Sequence, residues 1–168
     1  MVIQEMTEDE CGTALGQTGF GRLACARGHQ PYIVPIYFSY DGKHLYGVTT
    51  LGQKIEWMRS NPLVCLEIDE RTSHHQWMSV ILFGRYEELP EAAEFEDART
   101  HALEVLQKRE MWWQTACVAT EHREQRSPIF YRIHILQMTG HRATPDAIEA
   151  ATMEAPHSLG HNLSVKDR

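Results

Sequence analysis

The sequence predicts a mostly β fold, a small antiparallel β-barrel with peripheral helices. Apolar and polar residues alternate along several segments of strand length. Asp41-Gly42, a two-residue hairpin signal, joins two of these segments. Few helical segments lie between the strands, which favours a barrel over a sheet of alternating strands and helices. At 168 residues with a 42% hydrophobic fraction, the chain suits one compact domain.

The first predicted element is a short helix. Thr7 and Glu10 have the spacing of a capping box, and the helix is expected to continue to about Leu15. Three glycines are expected to break it: Gly16, Gly19 and Gly21. A strand over Phe20–Ala26 follows.

The clearest strand pattern covers Pro31–Tyr40. One face carries apolar side chains at a spacing of two, and these are Tyr32, Val34, Ile36, Phe38 and Tyr40. Pro35 lies on the other face and cannot donate a ladder hydrogen bond, which predicts a bulge or a sheet edge there. The chain then turns at Asp41-Gly42 and returns as a strand over Leu45–Val48.

The second half of the barrel domain is predicted as a short helix, two strands, a long helix and a last strand. These span Gln53–Arg59, Leu63–Asp69, Trp77–Glu87, Pro90 to about Lys108, and Ile129–Met138. Residues 1–142 are expected to form the barrel domain. Residues 143–168 are polar, and we predict a poorly ordered tail there. Trp112 and Trp113 lie in an unassigned stretch and suit either an interface or the core.

Composition excludes several classes of function. Asp and Glu total 23 against 16 Lys and Arg, a net charge of −7, which disfavours nucleic-acid or membrane-surface binding. No apolar run approaches the ~20 residues of a membrane span, and no signal peptide is seen. We therefore expect a cytoplasmic protein whose four cysteines are free thiols.

Two glycine-containing segments are candidates for phosphate binding. Gly19–Ala24 matches a dinucleotide fingerprint, but it is predicted to follow a helix and open a strand, the reverse of what that motif needs. Thr49–Lys54 instead follows a strand and opens a helix. Backbone N–H groups at the helix start, threonine hydroxyls and the Lys54 ammonium together suit a phosphate. The alternative is an ordinary capped surface helix.

The strand from Gln76 to Arg85 mixes Trp and Ser with apolar residues. It suits the lining of a planar ligand, although core packing explains its apolar positions equally well. Metal binding is not expected. His74 and His75 are adjacent, and His157 and His161 lie in the predicted tail without further ligands.

In the order and spacing of its motifs, the chain resembles the FMN-binding split-barrel family related to pyridoxamine 5′-phosphate oxidase, and within it the nitroimidazole-resistance flavoprotein branch. The resemblance extends from about Met6 to Arg142. It is carried by Gly21-Arg22-Leu23-Ala24, Pro31-Tyr32-Ile33-Val34-Pro35-Ile36, Asp41-Gly42, Thr49-Thr50-Leu51-Gly52-Gln53-Lys54, Asn61-Pro62, Val64-Cys65-Leu66-Glu67, Trp77-Met78-Ser79-Val80, Gly84-Arg85, Arg132-Ile133-His134-Ile135 and Met138-Thr139-Gly140.

This resemblance implies a six-stranded antiparallel split barrel that forms a homodimer with FMN at the interface. The cofactor-binding residues that it suggests are Val34, Pro35, Ile36, Val48, Thr49, Thr50, Gly52, Gln53, Lys54, Trp77, Ser79 and Val80. Gln53 is neutral where the family has a cation. A second basic residue, Arg22 or one from the partner, would then help Lys54 to hold the phosphate.

The expected function is that of an FMN-dependent oxidoreductase acting on a small planar substrate, with nitroaromatics as one candidate class. Trp77, Trp113 and His75 are candidates to stack on the substrate. No catalytic residue is assigned. Two alternatives remain: a haem- or flavin-binding module without turnover, with His74, His75 or His134 reaching the iron, and a barrel with no ligand.

Overall fold

A computed structural model describes residues 1–109 and 127–146. Within these ranges the chain forms eight strands and three α-helices. The strands are β1 (Val2–Met6), β2 (Phe20–Arg27), β3 (Gln30–Tyr37), β4 (Ser39–Tyr40), β5 (His44–Thr49), β6 (Leu63–Arg71), β7 (Trp77–Glu88) and β8 (Ile129–Thr144). The helices are α1 (Glu8–Thr18), α2 (Gln53–Ser60) and α3 (Glu96–Gln107), and a 3₁₀ turn at Ala93–Phe95 precedes α3.

All strand pairs are antiparallel, as the sequence predicts. The strands follow the order β3-β2-β6-β7-β8-β5-β4, and β1 pairs separately with β8. Six long strands carry the barrel, and β1 and the two-residue β4 are additions to them. Among the described residues the hydrogen-bonded path stays open at β3 and β4, so the sheet curves without closing.

The inner face of the curved sheet holds the main core. Leu23, Leu66, Leu82 and Ile133 come from four different strands and are each fully buried. Helix α1 adds Leu15 to this core, and helix α2 adds three residues, Ile55, Trp57 and Met58. Because strand side chains alternate, every second residue of β2, β6 and β7 lies in this core and the next faces outward.

Helix α3 covers part of the outer face of the sheet. Its Ala102, Val105 and Leu106 are buried against Val48 of β5 and Phe130 of β8 in a second apolar cluster. The predicted long helix therefore packs one apolar side against the sheet. The outer face of β5, which leads into the Thr49–Lys54 segment, lies beneath α3.

The rest of the outer face stays open and is unusually apolar. We define the outer apolar face as Ile33, Leu63, Ile81, Phe83 and Leu136, all of which are at least 38% exposed. The register places Ile33, Ala24, Cys65 and Phe83 in one row across β3, β2, β6 and β7. Leu136 bulges out of β8, because Phe83 pairs with Gln137 and Gly84 with Ile135. Ile81 and Phe83 are neighbours on this face of β7, and the ion-paired Arg22, Glu67 and Asp69 lie beside Ile81 on the same face.

Several predicted boundaries need correction. Helix α1 continues through Gly16 to Thr18 and ends at Gly19, which takes the left-handed conformation that favours glycine. Pro90 lies before the 3₁₀ turn, outside α3. Strand β8 runs past the predicted strand end at Met138 to Thr144, with Ala143 buried.

Strand β1 was not predicted. The capping box at Thr7 and the edge position of Pro35 on β3 are confirmed. None of the described helices is long and apolar enough to cross a membrane.

Candidate functional site

The turn from β5 into α2 exposes backbone donors. The N-cap residue Gly52 provides no side-chain cap, and its carbonyl oxygen accepts from Ile55 N (3.0 Å) and Glu56 N (3.1 Å). The N–H groups of Gln53 and Lys54 therefore have no acceptor within the helix. Gly52 has open space where a Cβ would stand. Such a turn can receive an anion at close range.

Lys54 supplies a cation at this turn. Its side chain is half-buried, and burial lowers the pKa of the ammonium group. No carboxylate pairs with it among residues 1–109 and 127–146. Lys54 interacts electrostatically with Cys25, and burial raises the pKa of that thiol, so Cys25 stays protonated and does not neutralise the lysine. Lys54 is a desolvated cation that an anionic ligand would stabilise.

Packing against the sheet fixes helix α2 and thereby the position of Lys54. The Trp57 ring lies 5.3 Å from the Tyr32 ring of β3, and the Arg27 guanidinium lies 5.3 Å from the Trp57 ring centre. Ile55 and Met58 are fully buried beneath the helix. The helix is thus fixed to the β2–β3 hairpin on the side of the sheet that faces the core.

The residues predicted on β3 and β5 divide between buried and exposed positions. Ile36 is buried in the main core, Val34 is half-buried against it, and Pro35 is exposed on the outer side of the edge strand. Val48 is buried beneath α3, whereas Thr49 is half-buried and Thr50 exposed at the end of β5. For Ile36 and Val48, only backbone atoms remain available to a ligand.

The residues predicted on β7 also lie on two faces. Val80 is buried in the main core, which leaves its side chain to packing. Trp77 and Ser79 are half-buried and lie on the outer face, in the same alternating row as Ile81 and Phe83. Within one chain, Trp77 and Ser79 are therefore on the face of the sheet opposite to α2 and Lys54.

Arg22 does not act as an available second cation. Its guanidinium pairs with Glu67 (Nη1–Oε2 3.0 Å) and also with Asp69. These two carboxylates on β6 already neutralise it. The expectation that Arg22 helps Lys54 with a phosphate gains no support from the structure.

A polar cluster around Asp41 is a feature that the sequence analysis missed. The Asp41 carboxylate accepts from His44 N (2.7 Å) and Lys43 N (2.8 Å) and lies 2.9 Å from His101 Nε2 of α3. These hydrogen bonds hold the pKa of Asp41 at about 2 in spite of partial burial. The only sequence signal was the Asp at a hairpin turn, since His101 is 60 residues away.

The histidines proposed for iron or metal binding have other partners. His134 Nε2 lies 2.7 Å from Glu87 Oε2, and His74 Nδ1 lies 2.7 Å from Arg71 Nη2. Residues 1–109 and 127–146 contain no group of three or more His, Cys, Asp or Glu side chains arranged to hold a metal ion. The predictions for Trp112, Trp113, Cys117, His157 and His161 fall outside the described residues. Cys11, Cys25 and Cys65 are free thiols, as expected.

Comparison with known proteins identifies relatives over most of the chain. A family model described as pyridoxamine 5′-phosphate oxidase matches residues 7–142. The uncharacterized protein RA0666 of Rhizobium meliloti (strain 1021) is 40% identical over 146 residues, which is 85% of this chain and 97% of that protein.

Two solved structures extend the comparison. The crystal structure of a FAD-binding protein from Mesorhizobium loti has 39% identity and a TM-score of 0.70, covering 86% of this chain and 99% of that one. The FAD binding protein from Mycobacterium smegmatis has 20% identity and a TM-score of 0.64, covering 84% and 98%, a likeness in fold alone.

Proposed function

Because the chain belongs to the pyridoxamine 5′-phosphate oxidase family, we propose that it is a flavin-binding protein that holds FMN by its phosphate at the turn from Thr49 to Lys54. The observation that carries the proposal is Lys54, a half-buried cation with no carboxylate partner among the described residues, beside two backbone N–H groups without helix acceptors. A phosphate dianion satisfies all three donors at once.

The flavin type is the first point that experiment must decide. FMN ends in the phosphate that the turn suits, whereas the Mesorhizobium loti relative, at 39% identity, is a FAD-binding protein. Either cofactor would place phosphate oxygens at Lys54. We favour FMN, because the proposed phosphate-binding turn is small. This turn, Thr49–Lys54, is called the phosphate seat, and it consists of one lysine and the N-terminus of one helix.

We further propose a homodimer with the flavin between its subunits. Lys54 and the ring-facing candidates Trp77 and Ser79 lie on opposite faces of one sheet, so a single chain does not bring them together. A second copy docked on the outer apolar face would add Trp77 and Ser79 of the partner subunit to a site that begins at Lys54. An apolar surface of this extent is also the kind that interfaces cover.

The bound flavin would supply the electron chemistry of an oxidoreductase that acts on a small planar compound. The protein's part is to fix the phosphate at Lys54 and to orient the ring, with the Ser79 hydroxyl as a side-chain hydrogen-bonding group. The free thiols Cys11, Cys25 and Cys65 agree with a reducing compartment, and we place the protein in the cytoplasm.

The direct test is to purify the protein, record its visible spectrum, and determine the mass of what denaturation releases. A flavin spectrum with released FMN supports the proposal. Released FAD would correct the cofactor and keep the site, whereas a haem spectrum would contradict it. A colourless protein whose melting temperature does not change with added FMN would also contradict it, since a ligand at 100 times its Kd adds about 2.7 kcal/mol.

The phosphate seat is tested by Lys54→Met, which removes the charge and keeps the side-chain length. Loss of a charge-assisted hydrogen bond costs about 1.5–3 kcal/mol, so FMN should bind roughly 10- to 150-fold more weakly. Riboflavin has no phosphate, and its affinity should change less than about threefold. Isothermal titration calorimetry of both ligands measures the difference.

Lys43→Met is the matched control, because it removes the same charge from the exposed β4–β5 turn. It should leave both affinities unchanged. An equal loss of FMN and riboflavin affinity in Lys54→Met would show that the lysine supports the fold or the ring, and not the phosphate.

A further inference from the structure

A cleft at the open edge of the sheet lies apart from the proposed phosphate seat. It is found where helix α1, strand β4 and helix α3 meet, and its volume of about 570 Å³ is typical of small-molecule sites. The cleft lies at the His44 end of β5, whereas the phosphate seat follows the Thr49 end, so about 17 Å of strand separate the two. The residues that line it are Gly16, Ser39, Tyr40, Asp41, His101, Val105, Lys108 and Arg109.

Elements from both faces of the sheet meet in this cleft, because β4 is the last strand at this edge. The Tyr40 ring lies against Gly16 of α1 on the inner side. Ser39 points the other way, toward α3, because it pairs with Tyr46, whose side chain is buried in the cluster beneath that helix. Arg109 joins the two helices across the edge, since its guanidinium donates to the Gly16 carbonyl oxygen.

Ser39 is the residue of this cleft that points to a ligand. Its side chain is only 3% exposed, and its hydroxyl makes no hydrogen bond among residues 1–109 and 127–146. Buried polar groups nearly always have a hydrogen-bond partner, because leaving one without a partner destabilises the fold. The Ser39 hydroxyl is therefore a donor at the floor of the cleft for an acceptor that enters it.

The charged groups of the cleft favour an anionic acceptor. Arg109 is half-buried, and neither Arg109 nor Lys108 pairs with a carboxylate in the part of the chain that the structure describes. Asp41, a carboxylate that lines the cleft, already accepts from two backbone N–H groups of its turn and lies 2.9 Å from His101 Nε2. The cleft thus contains two cations without ion pairs, in a chain whose net charge is −7.

We propose that this cleft binds a small oxyanion, the phosphate or carboxylate group of a metabolite, at Ser39, Lys108 and Arg109. The Ser39 hydroxyl donates at the floor, the Arg109 guanidinium offers its further N–H donors, and the exposed Lys108 ammonium adds charge at the rim. Tyr40 and Val105 provide apolar surface for the rest of the ligand. The inference does not depend on the proposed function, because none of these residues belongs to the phosphate seat.

Inorganic phosphate and malonate are suitable probes, because the first is a tetrahedral anion and the second carries planar carboxylates. In ¹H–¹⁵N spectra of the protein as purified, either probe should shift the backbone amide signals of Ser39, Tyr40 and Asp41, with saturation at about millimolar concentration. Sodium chloride at equal ionic strength should leave these signals in place, because it screens charge without binding. Tighter binding of phosphate would indicate a phosphate ester as the ligand, and tighter binding of malonate an organic acid.

Ser39→Ala is the most informative variant, because it removes the hydroxyl and keeps the packing. It should weaken anion binding about tenfold. Without the anion, its melting temperature should stay the same or rise, since the variant no longer buries an unpaired hydroxyl. Ser60→Ala, the same change at the exposed end of α2, should bind the anion as the original chain does.

Three lysine variants separate the cleft from general charge attraction and from the phosphate seat. Lys108→Met should weaken anion binding about threefold, whereas Lys43→Met, on the exposed turn outside the cleft, should change it less than about twofold. Lys54→Met should also leave it unchanged. The inference is overturned if neither probe shifts the cleft signals, if Ser39→Ala keeps full affinity, or if Lys43→Met loses as much affinity as Lys108→Met. Loss of anion binding in Lys54→Met alone would place the anion at the phosphate seat and contradict the cleft, while leaving the proposed function intact.

Discussion

At the scale of single residues, Gly47 is fixed by its neighbour Tyr131. A Cβ added at Gly47 would lie 2.3 Å from Tyr131 Cζ and 2.4 Å from its hydroxyl oxygen. Tyr131 is fully buried, so the ring has little room to move. Gly47 thus provides the space in which a core tyrosine crosses β5, one residue before Val48.

We expect Gly47→Ala to lower the free energy of unfolding by about 1–3 kcal/mol, the usual cost of overpacking a core. Urea unfolding followed by circular dichroism measures it. Gly16→Ala is the control, because a Cβ there would meet the Tyr40 ring at 4.0 Å, an ordinary contact, inside helix α1. That change should be neutral or stabilising by up to about 1 kcal/mol. Equal free energies of unfolding for the two variants would show that the Tyr131 ring moves to accommodate the added methyl group.

At the scale of elements, Asp41 joins the β4–β5 turn to helix α3. One carboxylate binds two backbone N–H groups of the turn and His101 of the helix. Tyr46 of β5 lies close by, and burial together with the Asp41 carboxylate raises the pKa of its phenol to about 12. The same helix covers Val48. We call Asp41 with Lys43, His44 and His101 the Asp41 hub. This hub positions α3, and α3 in turn covers the end of β5 before the proposed phosphate seat.

The hub makes stability depend on pH. The pKa of Asp41 is lowered from 3.8 to about 2, so its stabilisation is complete above about pH 4 and is lost as the pH falls through 2. Asp41→Asn should cost about 1–2 kcal/mol at pH 7, after allowance for solvent screening, and progressively less from pH 4 to pH 2. Urea titrations at several pH values measure this trend.

Glu104→Gln on the exposed face of α3 removes one negative charge without touching the hub and serves as the control. It should leave the pH profile unchanged. A constant deficit for Asp41→Asn from pH 7 to pH 2 would mean that the turn needs the aspartate for its shape, and not for its charge.

Local sequence signals predicted most of the elements, and the failures have physical causes. The capping box, the Asp41-Gly42 turn and the long helix that ends near Lys108 depend on residues close in sequence, so the sequence predicts them. Strand β1 was missed because it is only five residues long and shows no alternating pattern, and its pairing with β8 joins residues more than 130 positions apart. Gly16 was misread as a helix breaker because tertiary contacts of α1 outweigh its weak propensity.

The candidate site was predictable to the same degree. The Thr49–Lys54 segment was found from its spacing, but the sequence does not show that Lys54 lacks a carboxylate partner or that Arg22 has two. It also does not show which face of the sheet Ser79 occupies relative to Lys54. Those facts depend on register between distant strands, which a single sequence does not specify.

At the scale of the whole molecule, the sheet separates the side that carries Lys54 from the side that carries the outer apolar face. Its inner side holds the core and carries α2 with Lys54, while its outer side carries α3 at one end and, beyond it, the outer apolar face beside the ion-paired Arg22, Glu67 and Asp69. Exposed apolar area of this kind promotes association in water, so the proposed dimer would bury this surface and complete the proposed site.

Phe83→Glu places a charge in the middle of the outer apolar face and should dissociate the proposed dimer, because burying an unpaired carboxylate costs several kcal/mol. Light scattering should give twice 19.4 kDa for the original chain and 19.4 kDa for the variant. The monomer should keep its circular dichroism spectrum but lose bound flavin, since each site would lack the Trp77 and Ser79 of its partner subunit. Thr100→Glu on exposed α3 adds the same charge and should stay dimeric. A Phe83→Glu monomer with a full complement of flavin would show that one chain suffices to hold the cofactor.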